Sequence, residues 1–408
     1  MHIKKYKVIQ VSNKYDARHG QIITVIFGLA GGAVGWLAWG GGTEAWRLAC
    51  LLLLPLGWGL ARSRWSASLL MLGYYLGGAR GLPGGTAVFF GEGGPWWLGY
   101  ACYFGACLFL TLPFLILYGQ HGRGWRFVIA MCISIVPPLA FVGWINPIAV
   151  AGTIFPAMGW IGLAATTGLM ISLVDRSVWI LSFAIISALA NYYYVAPAVL
   201  VGWTGIDTHF PRLSNGDGIG AVMDGMKRVD WLLKYADTVP SNSVRVLPET
   251  IIGPVGMSAK YLMSGASTDL KKRGSRILVG GELNQDDGRY LNAVLVIGAQ
   301  GSDGKQAVQG IPVPVSMWHP FGKSGAVADV WGHSGLVDVN GKKTGVLICY
   351  EQLLTYSVLW MMTEEPDVLV GASNLWWVTD KTIPVIQEQM MLTFGRLFGV
   401  VVVRAVNS

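Results

Sequence analysis

Four residues in the second half of the chain have side chains that can do chemistry together. Glu249 follows a short apolar run and a proline, and Lys323 ends an aromatic loop. Cys349 directly follows the apolar run 345–348, and Glu351 comes two residues later. Attack on a carbonyl needs a thiolate, a base that takes the thiol proton, and a cation or dipole for the oxyanion. A carboxylate, a lysine and a cysteine can supply all three.

Each of these residues also has a purely structural interpretation. A buried cysteine at a strand end is more often inert than catalytic, a glutamate there is more often a turn or cap residue, and a loop lysine is usually solvated. Among the five cysteines, Cys349 alone lies beyond residue 203, so this part of the chain cannot form an internal disulfide. Residue type alone leaves both interpretations open.

The elements that must position these residues predict an α/β domain over residues 204–408. Short apolar runs predict strands at 244–247, 277–279, 293–297 and 345–348. Apolar residues at helical spacing predict helices at 220–237 and 382–398. Strands that alternate with amphipathic helices indicate a layered α/β fold.

Residues 1–203 have the composition of a polytopic α-helical membrane domain. The chain is 53% hydrophobic and 13% charged, whereas ordinary soluble domains have about 25% charged residues. A helix needs roughly 20 apolar residues to cross a bilayer. Seven spans are predicted, near 21–40, 44–61, 65–82, 97–118, 126–145, 148–174 and 177–199. The second and third are short, which leaves open a tilted or re-entrant pair.

The basic residues predict an orientation. With a cytoplasmic N-terminus, ten of the twelve Lys and Arg residues of 1–203 lie on the inner side, and only Arg47 and Arg80 lie outside. This follows the positive-inside rule. An odd number of spans then places residues 204–408 in the periplasm of a Gram-negative cell, with the chain in the inner membrane. A cleaved signal peptide is the less favoured alternative for the first apolar stretch.

Charge and motif content exclude several function classes. The net charge is +8 over residues 1–203 and −1 over 204–408. The basic balance therefore belongs to the membrane half, and direct nucleic-acid binding is not expected. The sequence has no phosphate-binding loop and no metal-ligand spacing, and His209, His319 and His333 are scattered. No cofactor or metal is expected.

Six short motifs occur in the order typical of the nitrilase (carbon–nitrogen hydrolase) superfamily, and the chain resembles that superfamily through them. They lie at 247–250, 290–295, 319–322, 345–351, 372–374 and 404–407. With several membrane spans in front, the chain is similar to the apolipoprotein N-acyltransferase branch. The stretch 312–318 also resembles a family of plasmid conjugal transfer proteins related to that branch.

The resemblance implies an αββα sandwich and a Glu–Lys–Cys triad. It makes Glu249 the general base, Cys349 the nucleophile and Glu351 a supporting carboxylate. In the N-acyltransferases the cysteine takes an acyl chain from a phospholipid and passes it to a lipoprotein amine. The implied partners are therefore a membrane phospholipid or lipoprotein substrate, together with the conjugation machinery.

Two departures from the family pattern stand out. The family lysine lies seven residues before the glycine of the Pro-Phe-Gly motif, and here Val315 stands at that position. Either Lys323 has taken over the role or the site is inactive, and Lys305 is a weaker candidate. The family also continues beyond the motif 404–407 with further strands, so the domain is expected to lack its last strands and to leave a sheet edge uncovered.

Two function hypotheses follow. The first is a membrane-embedded acyltransferase or amide hydrolase that uses Cys349. The second is an assembly or accessory protein of the conjugation machinery that keeps the fold without catalysis. A soluble-type nitrilase is disfavoured because such an enzyme needs no membrane spans. The segment 374–377, with two tryptophans, is either a lipid-facing lip or a packed loop.

Overall fold

The computed structural model describes residues 3–90, 95, 97–119, 121–213, 219–301 and 303–408. These residues group into two compact units, one formed mainly by residues up to Tyr193 and the other mainly by residues from Tyr194. The predicted division into a membrane domain over residues 1–203 and a nitrilase-like domain over residues 204–408 stays a prediction.

The first unit is helical. Its α-helices are α1 (Ile3–Trp39), α2 (Ala45–Ala49), α3 (Leu53–Leu60), α4 (Arg64–Gly78), α5 (Leu82–Phe90), α6 (Trp97–Leu117), α7 (Arg123–Ile133), α8 (Ala151–Ile154), α9 (Gly159–Asp175) and α10 (Trp179–Tyr192). Short 3₁₀ turns lie at Cys50–Leu52, Leu139–Val142 and Pro147–Val150.

Among the described helices, two are long and apolar enough to cross a membrane, at His19–Trp39 and Trp97–Leu117. A third is added if Pro147–Ile154 and Gly159–Asp175, bent by 118°, form one broken span. The predicted segment 148–174 is thus interrupted, and α7 is shorter than the predicted segment 126–145. The number of seven crossings stays a prediction.

The second unit contains two β-sheets. Its strands are β1 (Trp203–Gly205), β2 (Val244–Val246), β3 (Arg276–Asn284), β4 (Arg289–Ile297), β5 (Gln306–Val308), β6 (Gly325–Ala326), β7 (Leu336–Val339), β8 (Lys342–Ile348), β9 (Val368–Asn374) and β10 (Val401–Asn407). The first sheet has the order β1-β2-β3-β4-β5, with β6 beside β4, and the second has the order β10-β9-β8-β7. The strands and helices predicted from the apolar pattern are confirmed.

Alternating side chains build the layers of this unit. Val346 and Ile348 of β8 pack with Val244 and Val246 of β2 in one apolar core between the sheets. The other face of the first sheet is covered by α11 (Ile219–Thr238) and α12 (Met257–Lys272). The outer layer on the second sheet consists of α13 (Thr355–Met362) and α14 (Thr382–Phe398). Met361 of α13 lies against Gly345, and Met391 of α14 lies against Gly371.

Strand β10 lies at the edge of the second sheet. Residues just after β1 hydrogen-bond to it: the backbone N–H of Thr208 donates to Val406 at 2.9 Å, and that of Ser408 donates to Thr208 at 3.0 Å. The described segment around Thr208 therefore covers part of this edge of the second sheet.

Candidate active site

Glu249 lies in the loop that follows β2, with only 5% of its surface exposed. The loop runs directly against β3, at Gly280. A Cβ atom on Gly280 would lie 2.4 Å from the backbone nitrogen of Thr250 and 2.5 Å from Cα of Glu249. Only glycine permits so close an approach of two backbones. The loop can therefore hold Glu249 at this place only because residue 280 is a glycine.

Cys349 lies where β8 turns into a 3₁₀ turn, Cys349–Leu353. Its φ of 46° is in the left-handed region, which non-glycine residues rarely adopt. Strained backbone of this kind often occurs at functional sites. The side chain is 6% exposed, and Nε2 of Gln387 on α14 donates to the carbonyl oxygen of Cys349 at 2.9 Å.

Asn374, at the end of β9, joins these two residues. Its backbone N–H donates to Oε2 of Glu249 at 3.1 Å, and its carbonyl oxygen accepts from Sγ of Cys349 at 3.9 Å. The Asn374 side chain is held in turn by Asn407, whose Nδ2 donates to Oδ1 of Asn374 at 2.9 Å. Glu249 and the Cys349 thiol each act on the pKa of the other, so the structure brings the predicted base and nucleophile together.

Glu351 accepts three backbone hydrogen bonds. Its Oε2 accepts from the N–H of Ile348 at 3.0 Å, and its Oε1 accepts from Gly310 at 2.9 Å and Ile311 at 3.2 Å. The carboxylate is buried. It therefore holds the turn that carries Cys349 against the segment that follows β5.

A chain of amides links the base to the strand end. Nδ2 of Asn292 donates to Oε1 of Glu249 at 2.6 Å and to Oε1 of Gln309 at 2.8 Å. Nε2 of Gln309 donates to the carbonyl oxygen of Ile348 at 2.8 Å. Asn292 and Gln309 are both buried.

The electrostatics follow from burial. Desolvation raises the pKa of Glu249 from 4.5 to about 7, against hydrogen bonds from Asn292, Cys349 and Asn374 that lower it. It likewise raises the pKa of Glu351 to about 7. Desolvation, followed by the charge of Glu249, raises the pKa of the Cys349 thiol well above its ordinary value. Glu249 is thus poised near neutrality, where a general base works best, while Cys349 rests as a thiol.

Lys323 is not joined to this cluster. Its side chain is exposed, and it forms no hydrogen bond or ion pair with any described residue. Val315, at the position expected for the family lysine, is 69% exposed with a φ of 70°, and Lys305 is exposed as well. The catalytic role predicted for Lys323 stays a prediction, without a contact to support it.

The tryptophans of segment 374–377 are half-buried. Trp377 packs against the core between the two sheets, and its Nε1 donates to the carbonyl oxygen of Asn374 at 3.2 Å. The Trp376 ring lies under the Arg212 guanidinium, 4.3 Å from the ring centroid. These contacts favour the packed-loop interpretation over a lipid-facing lip.

Sequence reasoning missed Asn292, Gln309 and Gln387 as residues of this site. Asn292 lies within the motif 290–295, and its polar side chain directly before the apolar run 293–297 was a usable signal. Gln309 and Gln387 gave no comparable signal, because a single glutamine near a strand or on a helix is common. Among the described residues, no group of three or more His, Cys, Asp or Glu side chains could hold a metal ion.

The family model for carbon–nitrogen hydrolases matches residues 220–406. This match confirms the predicted fold class for the second part of the chain: a helical region with apolar helices precedes a carbon–nitrogen hydrolase domain of the nitrilase type. Glu249, Gln309, Cys349 and Glu351 all lie inside the matched residues.

Two relatives are similar over nearly the whole chain. The conjugal transfer protein TraB of Agrobacterium fabrum is 29% identical over 416 residues, which cover 95% of this chain and 92% of the relative. The probable conjugal transfer protein TraB of Sinorhizobium fredii is 30% identical over 395 residues, which cover 92% and 95%.

Solved structures similar to this chain include an amidase from Nesterenkonia sp., with a TM-score of 0.35 and 10% identity over 50% of this chain and 75% of the amidase. A mutant of the Nesterenkonia AN1 amidase, from the nitrilase superfamily, has a TM-score of 0.34 and 10% identity over 52% of this chain and 79% of its own.

Proposed function

Because the chain belongs to the TraB family of conjugal transfer proteins, we propose that it serves plasmid conjugal transfer as a membrane-anchored enzyme that carries an acyl group on Cys349. The observation that carries this proposal is the buried Glu249–Cys349 pair, held by Asn374 through both of its backbone polar groups. A base with a pKa near neutrality beside a thiol is the arrangement that nucleophilic catalysis requires.

The reaction proceeds through a thioester. Glu249 takes the thiol proton as the sulfur of Cys349 attacks the carbonyl carbon of an ester donor. A C–S bond forms, the ester C–O bond breaks, and the leaving alkoxide takes the proton from Glu249. An amine then attacks the thioester carbon, a C–N bond forms, and the C–S bond breaks. The amine proton returns to sulfur through Glu249, and with water as acceptor the same steps give hydrolysis.

The membrane environment suggests the substrates. A membrane phospholipid is the proposed donor and a lipoprotein amine the proposed acceptor, because apolar helices in the same chain keep the domain near lipid. The proposed topology has seven spans in the inner membrane, a cytoplasmic N-terminus and a periplasmic domain over residues 204–408. The distribution of basic residues supports this orientation.

Mass spectrometry of the purified full-length protein, incubated with phospholipid vesicles, tests the acyl-transfer proposal. The expected result is an acyl adduct on the peptide that contains Cys349, removed by hydroxylamine and absent from Cys349→Ala. Cys132→Ala, which removes a cysteine of α7, is the matched control and should keep the adduct. A folded wild-type protein without any adduct on Cys349 contradicts the proposal.

A second candidate is an accessory role without catalysis. The observation that favours it is the set of hydrogen-bond partners that described residues give to Glu249 and Cys349, namely Asn292, Asn374 and Gln387, which includes no lysine or arginine. Conjugal transfer by a strain with Cys349→Ala separates the two candidates. Normal transfer at a normal protein level supports the accessory role, and loss of transfer supports the enzyme.

A further inference from the structure

Gln309 occupies the centre of the polar network. It follows β5 and is fully buried, with 0% of its surface exposed. Its Oε1 accepts from Asn292, the residue that binds the Glu249 carboxylate, and its Nε2 donates to the carbonyl of Ile348, the residue before Cys349. One side chain thus ties the base to the strand end that carries the nucleophile.

The two residues after Gln309 bind the second carboxylate of the site. The N–H groups of Gly310 and Ile311 both donate to Oε1 of Glu351. A Cβ atom on Gly310 would lie 3.2 Å from that oxygen, so the segment follows the carboxylate closely. The segment 309–311 therefore binds Glu351 directly and Glu249 through Asn292, and the side chain that it places between them is neutral.

We propose that Gln309 is the positioning residue of this site and that its uncharged amide occupies the place from which a cation could act on Cys349. This inference rests on the proposed function, and it goes further by identifying which group aligns the base with the nucleophile. Gln309 acts on the base through Asn292 and on the nucleophile through the carbonyl of Ile348, but it supplies no positive charge. In this proposal the thiol proton moves to Glu249 as the sulfur attacks.

Several charged or titratable groups surround the pair. Glu351 lies on the turn after β8, and the charge of Glu249 acts on it. Glu282 of β3 acts on Glu249, and both carboxylates act on Tyr290 of β4. On the side of α11, Arg228 donates to the carbonyl of Ile251 at 3.3 Å. Of α14, it is the neutral amide of Gln387 that reaches Cys349.

The test measures the rate of iodoacetamide alkylation of Cys349 against pH, in the full-length protein in detergent. Mass spectrometry reads the peptide that contains Cys349, so the other four cysteines do not interfere. Gln309→Lys should lower the pH midpoint by about one unit or more, because a positive charge beside the strand end that carries Cys349 favours the thiolate. Alkylation near neutral pH should rise at least about tenfold, as one unit of pKa implies.

Gln309→Met is the matched control, since methionine has a similar length but no charge and no amide. It should leave the alkylation midpoint near that of the wild type and reduce formation of the acyl adduct at least about tenfold, the cost of about one lost hydrogen bond. If Gln309→Lys does not fold, the rate of adduct formation in Gln309→Met tests the inference by itself. A midpoint that does not move in folded Gln309→Lys, or adduct formation at the wild-type rate in Gln309→Met, overturns the inference.

The two hypotheses fail in different ways. Absence of an acyl adduct in the wild type contradicts the proposed function, whereas the alkylation profile of Gln309→Lys is measured without any acyl donor. A shifted profile with no adduct would keep Gln309 as the residue that controls the thiol and reject acyl transfer.

Discussion

Glu351 accepts a 3.0 Å hydrogen bond from the backbone N–H of Ile348, three residues before it in the chain. The same carboxylate binds Gly310 and Ile311. It therefore closes the turn in which Cys349 has a φ of 46° and anchors that turn to the neighbouring segment. In this arrangement Glu351 supports the nucleophile without having to touch a substrate.

Glu351→Ala should destabilise the protein strongly, because it leaves three backbone N–H groups, two buried and one partly buried, without an acceptor. Each unsatisfied buried group costs about 1–3 kcal/mol. Thermal unfolding of the full-length protein in detergent measures the effect. Glu365→Ala, at an exposed position, is the control and should change the unfolding midpoint little. Equal midpoints for the two variants would contradict the role of Glu351.

Stability should fall as the pH rises from about 5 to about 8. Burial raises the pKa of Glu249 and of Glu351 from 4.5 to about 7. The folded state therefore holds these protons more tightly than the unfolded state does. The stabilisation is fully present below pH 4.5 and is lost as the pH rises through about 7, at about 1.4 kcal/mol for each unit of pKa shift.

The unfolding midpoint at several pH values checks this dependence. Glu249→Gln and Glu351→Gln should each flatten the curve, since each removes one titrating group. Glu365→Gln should leave the slope unchanged. A protein more stable near pH 8 than near pH 5 would contradict the assigned direction of both shifts.

Gly280→Ala should displace the Glu249 loop. Its Cβ atom would meet backbone atoms at 2.4 to 2.5 Å, and backbone cannot move aside as a flexible side chain can. We expect a loss of stability of about 1–3 kcal/mol from overpacking and loss of the acyl adduct on Cys349.

Gly265→Ala is the matched control for this substitution. Gly265 lies inside α12, and its Cβ would have no atom within 4 Å. Alanine there should stabilise the helix by about 0.5–1 kcal/mol. If both alanine variants keep wild-type stability and the adduct, the close approach at Gly280 does not position Glu249.

Lys323→Met compares the sequence-based candidate with Gln309. If Lys323 supplied the positive charge of the site, its removal would raise the pH midpoint of Cys349 alkylation by about one unit or more. The Lys323 side chain is exposed and forms no hydrogen bond or ion pair with any described residue. We therefore expect no measurable change in the pH midpoint. A raised midpoint would restore Lys323 to the site and place it ahead of Gln309.

Asn407→Ala should destabilise the position of Asn374, the residue that joins Glu249 and Cys349. The Asn407 side chain accepts from Thr208 and from the N–H of Phe210, and it donates to Phe210 and Asn374. Losing these bonds leaves the buried Thr208 and the partly buried Phe210 and Asn374 without these partners, and an unsatisfied buried group costs about 1–3 kcal/mol. We expect a lower unfolding midpoint and slower formation of the acyl adduct on Cys349. Ser408→Ala is the control, because Ser408 is exposed.

Local pattern was sufficient for much of the fold. Apolar runs identified β2, β3, β4 and β8, and helical spacing identified α11 and α14, because burial on a sheet or a helix face imposes its period on the sequence. The position of Glu249 and Cys349 just beyond β2 and β8 was also readable, since each directly follows an apolar run. The bend within residues 147–175 was not predicted, because an uninterrupted apolar stretch fits one span or a broken one equally well.

The sequence by itself determined the residue types at the strand ends and their order along the chain. It could not determine which side chain ties the Glu249 side of the site to the strand that carries Cys349, because an ungapped count from Gly322 is not constrained by space and led to Val315 and Lys323. In the tertiary structure the amide of Gln309 joins Asn292, which binds Glu249, to Ile348, which precedes Cys349. Asn292 and Ile348, 56 residues apart along the chain, meet at its amide only when the two sheets pack face to face.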